Sequence, residues 1–374
     1  MAQRGKLLIM VLASLASVTA GEFVLRLAFP PPWLYPLDPP EDALMVEHPL
    51  LGYALRPGKV QQWTRPHWSI RVEINSDGQR DDPLRQARSA SLRALAVGDS
   101  FTFGIGVEHG EAWPEVLERE LAARTGQSTG VVNAGVPGYS ARQMRLQAVD
   151  LLEKVDPALV VAALYARSYW RVTEPYAVYG GALVLSSELP QLAVSASGDV
   201  IVTPFSPGAL READVWLKGH LQLPARIFDL TAPRLWPQLT IPLDLPDRSR
   251  WKDSDYQPVF DELAQLHATL AEQEIPLVIL LVNHQEVDGS FSPDEHRYNT
   301  HIARFCSAQD LPLADPLPRF VAEGKGEPVF RTPSDIHWTP LAQRIAAQEV
   351  LGVLEARGLL ARHIPDPSPS PNTP

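Results

Sequence analysis

The 374-residue sequence lacks several features that define whole classes of protein. Its one cysteine, Cys306, cannot form a disulfide within the chain, and its apolar and basic neighbours are typical of a thiol that packs in a core. The ten histidines are scattered without metal-ligand spacing, so we expect no metal and no cofactor. A net charge of −11, with no basic block after the N-terminus, argues against nucleic acid as a partner.

Long apolar runs are also scarce, and the best candidate lies in residues 1–29. Two basic residues precede an uncharged run, Leu7–Gly21, which is short for a spanning helix of ~20 residues and suits a signal peptide. Val18-Thr19-Ala20 would serve as a cleavage site, whereas apolar periodicity that continues past Arg26 favours an uncleaved membrane anchor. A buried core helix is the third interpretation. We expect an inner-membrane anchor with a periplasmic or other extracytoplasmic catalytic domain.

The rest of the chain divides by its patterns. Residues 30–90 are rich in proline and aromatics and predict a small β-rich preface. Strand and helix patterns alternate over residues 91–362, which predicts an α/β domain whose parallel sheet is covered by helices on both faces. Residues 170–256 interrupt this alternation and are interpreted as an insertion or cap. Residues 363–374 are interpreted as a disordered tail.

Two separated blocks carry the chemistry. Gly98-Asp99-Ser100 directly follows an apolar strand, so the Ser100 hydroxyl is expected at a sharp turn above the sheet. The helix that follows would offer free N–H groups to a developing oxyanion. Asp335-Ile336-His337-Trp338 supplies a carboxylate and an imidazole close together. Because a serine hydroxyl needs a base to become a nucleophile, the two blocks predict a serine enzyme that transfers acyl groups.

These blocks resemble those of the SGNH/GDSL hydrolase superfamily, over roughly residues 91–362. Trp113-Pro114 and Val132–Ser140 are also similar to elements of the family. Three elements nearer the N-terminus are similar to those of its membrane-anchored bacterial members: Leu51-Gly52-Tyr53, Pro57-Gly58 and Asn75–Arg80. The resemblance implies a flavodoxin-like three-layer α/β/α sandwich with a central parallel sheet. It implies that Ser100 is the nucleophile, that His337 is the general base and that Asp335 orients the imidazole. The Ser100 and Gly138 N–H groups would form the oxyanion hole.

The sequence departs from the family pattern in two places. Where the family has an asparagine that completes the oxyanion hole, this chain has Arg167, and losing one such donor costs on the order of 3 kcal/mol. Arg167 is interpreted either as a substitute donor or anion contact, or as a structural salt-bridged residue, with Asn283 and His284 as alternative donors. The second departure is the acid: many members place it where this chain has Ser334, whereas Asp335 is two residues before the histidine. That arrangement is similar to the polysaccharide O-acetyltransferase-like branch.

Three functions remain open from the sequence. The first is a serine esterase that cleaves an ester-linked acyl group, with an acetylated carbohydrate as the expected substrate by family analogy. The second is an O-acetyltransferase that modifies a polysaccharide of the cell envelope. The third is a binding module that kept the fold and lost turnover, for which Arg167 is the main support. The sequence does not indicate an oligomeric state.

Overall fold

The computed structural model describes residues 13–14, 17–21, 43–65, 68–165, 169–172, 176–179, 182–185, 193–194, 200–201, 253–283, 293–324, 328–330 and 336–360. Most of the predicted anchor, most of the predicted insertion and the whole predicted tail lie outside these residues. The domain boundaries and the location in the cell therefore stay predictions. Among the described residues, no helix has both the length and the apolar character that crossing a membrane requires.

Two antiparallel hairpins lie within residues 43–73. Strand β1 (Met45–His48) pairs with β2 (Gly52–Leu55), and β3 (Val60–Arg65) pairs with β4 (Trp68–Glu73). Buried and exposed residues alternate along β4, as expected of a strand with one face on a core. These hairpins and the turn that follows them lie within the predicted preface of residues 30–90, and below the word preface means residues 43–83 of it.

Strands and helices follow the preface. Their order is α1 (Leu84–Arg88), β5 (Leu92–Gly98), α2 (Ser100–Phe103), α3 (Trp113–Thr125), β6 (Thr129–Gly135), α4 (Ala141–Val155), β7 (Leu159–Tyr165), β8 (Tyr176–Tyr179), β9 (Ala182–Leu185), β10 (Ala193–Val194), β11 (Val200–Ile201), α5 (Gln257–Ala271), β12 (Leu277–Val282), α6 (Pro293–Ala308), β13 (Leu313–Ala314), α7 (Leu317–Glu323) and α8 (Pro340–Ala356). Short 3-10 helices lie at His109–Glu111, Tyr169–Val172 and Asp253–Tyr256.

Five parallel strands form the central sheet in the order β13-β12-β7-β5-β6. Numbered by their own succession along the chain, these strands have the flavodoxin-like order 2-1-3-4-5, and the predicted fold class is confirmed. Every residue of β7 is buried, as its unbroken apolar sequence predicts for the middle strand of a sheet covered on both faces.

Alternate residues of each strand serve two separate cores. Leu95 and Val97 face the core that α4, α5, α6 and the preface share, whereas Ala94 and Ala96 face the core that α3 and α8 share. The two layers of helices thus bury both faces of the sheet, and the carboxyl ends of its strands meet at one edge. Cys306 is buried in the first of these cores.

Candidate active site

The turn between β5 and α2 presents Ser100. Strand β5 ends at Gly98, and Asp99 takes the N-cap position of α2, where its Oδ1 accepts a hydrogen bond from Phe101 N at 3.1 Å. An aspartate cap satisfies one of the backbone N–H groups that a helix start leaves without a partner. Ser100 is therefore the first residue of α2, directly above the carboxyl end of β5, where the sequence predicts it.

The neighbouring strand must approach this turn closely. A Cβ on Gly135, the last residue of β6, would overlap the backbone of Thr102 and Phe103. The absence of a side chain at Gly135, within the Val132–Ser140 element, therefore lets the end of β6 lie directly against α2.

Arg80 binds the segment that follows the serine. Its guanidinium donates to Phe103 O at 3.0 Å, to Gly104 O at 2.6 Å and to Val107 O at 2.8 Å. Arg80 is 1% exposed, so these carbonyls have little water to replace the guanidinium. Asn75 fixes the turn before it, because Asn75 Oδ1 accepts from the N–H groups of two residues in that turn. The Asn75–Arg80 motif thus has a structural role that sequence reasoning did not assign.

His337 lies within hydrogen-bond distance of the serine, although 237 positions separate them along the chain. The distance from His337 Nε2 to Ser100 Oγ is 2.9 Å. The imidazole also packs against the Phe101 ring, with centroids 5.0 Å apart. A base at this distance can take the hydroxyl proton if the Nδ1-H tautomer leaves Nε2 free to accept it.

Trp338 holds the histidine loop. Its indole N–H donates to Asn283 O, at the end of β12, at 2.8 Å, and its ring is fully buried between Phe101 and Phe320. One residue further on, Thr339 N donates to Val329 O at 3.0 Å. The tryptophan that directly follows His337 therefore anchors the histidine loop.

Gln343 links the segment that contains Ser100 to the helix that follows His337. This fully buried residue of α8 accepts from Trp113 N at 2.9 Å and donates to Phe101 O at 3.2 Å. The helix that follows His337 is thereby joined to the helix that contains Ser100. No sequence pattern indicated this residue, because its partners lie 230 and 242 positions away.

The oxyanion hole that the resemblance implies would use the backbone N–H groups of Ser100 and Gly138. Within the described part of the chain, neither Ser100 N nor Gly138 N donates a hydrogen bond. Gly138 has a φ of 86°, a left-handed conformation that favours glycine. The loop before it is joined to the serine turn by the hydrogen bond from Val136 N to Gly98 O at 3.1 Å.

Asp99 forms an ion pair that sequence reasoning missed. Arg171 Nη1 lies 3.3 Å from Asp99 Oδ2, and the carboxylate is fully buried. Burial raises the pKa of Asp99, and the charges of Arg171 and His337 and the Phe101 N–H oppose that rise. Arg171 thus brings a cation to the residue adjoining the nucleophile. Arg171 lies four positions after Arg167, in a segment whose sequence shows no periodicity.

Three of the predicted or alternative site residues, Arg167, His284 and Asp335, lie outside the described residues. The structure thus brings Ser100 and His337 together, and the catalytic roles of all the predicted site residues stay predictions. Asn283, the remaining alternative donor, is fully buried, and its Oδ1 accepts from Asn299 Nδ2 at 2.6 Å.

A serine at the end of a parallel strand, with a histidine in hydrogen-bond contact, defines a protein of the serine-hydrolase class on a flavodoxin-like sheet. Residues 96–164 match the family model described as GDSL-like lipase/acylhydrolase. The family that this match names is the one that the sequence blocks predict, and the matched segment contains Ser100 and Gly138. A comparison with curated proteins found no match.

Solved structures with a similar arrangement include a lipolytic protein of the G-D-S-L family from Desulfitobacterium hafniense DCB-2, with 10% identity, a TM-score of 0.39 and coverage of 71% of this chain and 100% of that one. A lipase/acylhydrolase from Enterococcus faecalis has 10% identity and a TM-score of 0.40, covering 71% and 96%. A catalytic mutant of an acetylxylan esterase from Geobacillus stearothermophilus has 12% identity and a TM-score of 0.41, covering 71% and 94%.

Proposed function

We propose that this protein is a serine esterase that works through an acyl-Ser100 intermediate. The 2.9 Å contact between Ser100 Oγ and His337 Nε2 is the observation that carries the proposal. The two residues belong to separate sequence motifs, so it is the fold that brings them together. Acyl transfer requires hydrogen-bond contact of this kind between a nucleophile and its base.

The first half of the reaction forms the acyl-enzyme. Ser100 Oγ attacks the ester carbonyl carbon as His337 Nε2 takes the hydroxyl proton, and the carbonyl oxygen becomes an oxyanion. The Ser100 and Gly138 N–H groups would donate to that oxyanion, because neither has another acceptor among the described residues. The carbon–oxygen bond to the leaving alcohol then breaks, and His337 returns its proton to that alcohol.

The second half releases the acyl group. A water molecule gives a proton to His337 and attacks the acyl-serine carbonyl, and collapse of the second oxyanion breaks the bond to Ser100 Oγ. The carboxylic acid leaves, and the serine regains its proton from His337. Asp335 would hold the imidazole in the required tautomer and stabilise its charged form.

An acetyl group on a carbohydrate is the proposed substrate, and transfer of that group to a polysaccharide is the second candidate function. The Asp335-Ile336-His337-Trp338 sequence is similar to that of the polysaccharide O-acetyltransferase-like branch, and the indole of Trp338 holds the histidine loop. Transfer replaces water by an acceptor hydroxyl in the second half of the reaction. Incubation with an acetyl donor and an oligosaccharide separates the two, because esterase action releases acetate and transferase action acetylates the sugar.

Labelling with a fluorophosphonate probe tests the proposal before any substrate is known. Wild-type protein should be labelled and should hydrolyse p-nitrophenyl acetate, whereas Ser100→Ala should abolish labelling. His337→Ala should lower turnover by ~10⁴-fold or more with a nearly unchanged Tm. The matched controls are Ser76→Ala and His296→Ala, which alter exposed side chains elsewhere.

Two results would contradict the esterase proposal. Labelling of Ser100→Ala at the wild-type rate would remove this serine from the mechanism. A folded wild-type protein that the probe does not label, and that does not hydrolyse the acetate ester, would support the binding-module interpretation instead.

We further propose that residues 1–29 anchor this domain to the outer face of the inner membrane. The support is the basic start of the segment, its uncharged run and the apolar periodicity that continues past Arg26.

A further inference from the structure

A second group of reactive side chains lies apart from the serine and histidine, where three separate segments meet. Asp81 follows Arg80 in the preface, His109 is the first residue of a 3-10 helix, and Glu115 lies in the first turn of α3. One donor atom from each residue lies within 4.8 Å of the donor atoms of the other two. His109 Nδ1 is 3.2 Å from Glu115 Oε1.

These separations suit ligands of one metal ion. A tetrahedral ion with bonds of ~2.0–2.2 Å holds its ligand atoms roughly 3.3–3.6 Å apart. The His109–Glu115 distance is already close to that value, and the third donor atom lies within 4.8 Å of the other two. One imidazole and two carboxylates make a mixed nitrogen and oxygen donor set, which suits Zn²⁺ and neighbouring first-row divalent ions better than Ca²⁺ or Mg²⁺.

Glu115 gives the independent sign that a cation belongs here. The residue is 8% exposed, and its Oε2 has no hydrogen-bond partner among the described residues. A buried carboxylate oxygen without a donor is costly unless a cation or a proton neutralises it. Arg80, whose charge acts on Glu115, directs its terminal nitrogens to backbone carbonyls instead.

The surrounding residues hold both carboxylates in place. Asn133 donates from its side chain to Glu115 Oε1 at 3.3 Å and from its backbone to Asp81 Oδ2 at 2.7 Å. Asp82 N donates to Asp81 Oδ1 at 2.6 Å. Such outer contacts orient metal ligands and leave their remaining lone pairs free. The His109 side chain is 42% exposed, so an ion can enter from solvent on that side.

We propose that Asp81, His109 and Glu115 bind one divalent transition-metal ion, with Zn²⁺ as the ion of best fit, which joins the preface to α3. The cluster is distinct from Ser100 and His337, and the proposal does not depend on esterase activity. The metal-ligand spacing sought in the sequence does not reveal this site, because the three residues come from three segments and not from one motif.

Zinc binding by the purified full chain tests this inference. Protein stripped with a chelator and dialysed should bind one equivalent of Zn²⁺ in competition with a chromophoric chelator, and its Tm should rise with Zn²⁺ concentration. Glu115→Gln and His109→Ala should each weaken Zn²⁺ binding at least about tenfold. Glu120→Gln removes the same charge from the same helix and should bind as the wild type does.

Three results would overturn the proposal. They are the absence of saturable binding of Zn²⁺, Co²⁺ and Mn²⁺ by the folded wild type, wild-type affinity in the Glu115→Gln variant, and wild-type affinity in the His109→Ala variant. His109→Ala alters the most exposed of the three ligands, so it keeps the test decisive if the Glu115 variant does not fold.

Discussion

Replacing Arg80 by methionine should destabilise the protein and slow its chemistry together. Hydrogen bonds from a charged donor contribute ~1.5–3 kcal/mol each, and Arg80 makes three short ones to the segment after the serine. Burial opposes this gain, because it lowers the pKa of Arg80 to about 10 despite the nearby charges of Glu115 and Glu108. We therefore expect Arg80→Met to lower the free energy of unfolding by about 3 kcal/mol.

Urea denaturation and kcat provide the measurements. The control is Arg71→Met in the same preface, which removes an exposed arginine paired with Glu73 and should cost less than ~1 kcal/mol. Because Arg80 holds the carbonyls of Phe103 and Gly104, kcat should fall as well, even where the variant is fully folded. Equal stability of Arg80→Met and Arg71→Met, with unchanged kcat, would refute the view that this guanidinium positions the serine turn.

Two further predictions concern the histidine loop and the N-terminal segment. Trp338→Phe removes the indole donor to Asn283 O and should cost ~1–3 kcal/mol by urea denaturation, with a fall in kcat at unchanged KM. Unchanged kcat in a destabilised variant would limit Trp338 to a structural role. Alkaline carbonate extraction of cells that express the full chain should leave it in the membrane fraction with an intact N-terminus. A soluble chain that begins directly after Ala20 would show cleavage instead.

The sheet could be predicted because its signals are local. Leu159–Tyr165 is apolar without a break, which is what the middle strand of a covered parallel sheet needs, and it occupies that place. Ser100 follows directly from the end of β5, and a residue at that point must lie at the carboxyl edge of the sheet. The sequence motif predicts His337 as the base. Its distance from Ser100 depends on the fold, and no sequence pattern gives it.

The supports of the site could not be predicted from local patterns. Arg171 pairs with a carboxylate 72 positions earlier, and Gln343 contacts backbone groups more than two hundred positions earlier. Such contacts depend on the order of the strands and on how the crossover helices pack, neither of which periodicity specifies. Arg80 is recognisable in the sequence as part of a motif. Its carbonyl partners are not, because they depend on where the fold places the turn that contains Ser100.

The preface contacts both segments that contain the proposed oxyanion-hole groups. Tyr53 Oη donates to Pro137 O at 2.8 Å, and Tyr139 Oη donates to Tyr53 O at 2.7 Å, so the two tyrosines enclose the loop that contains Gly138. On the other side of the site, Arg80 binds the segment after Ser100. Both halves of the proposed oxyanion hole are therefore positioned by residues that precede the α/β sheet in the chain. Because the buried side chains of β2 and β4 also belong to the core beneath α4, the preface and the sheet should fold as one cooperative unit.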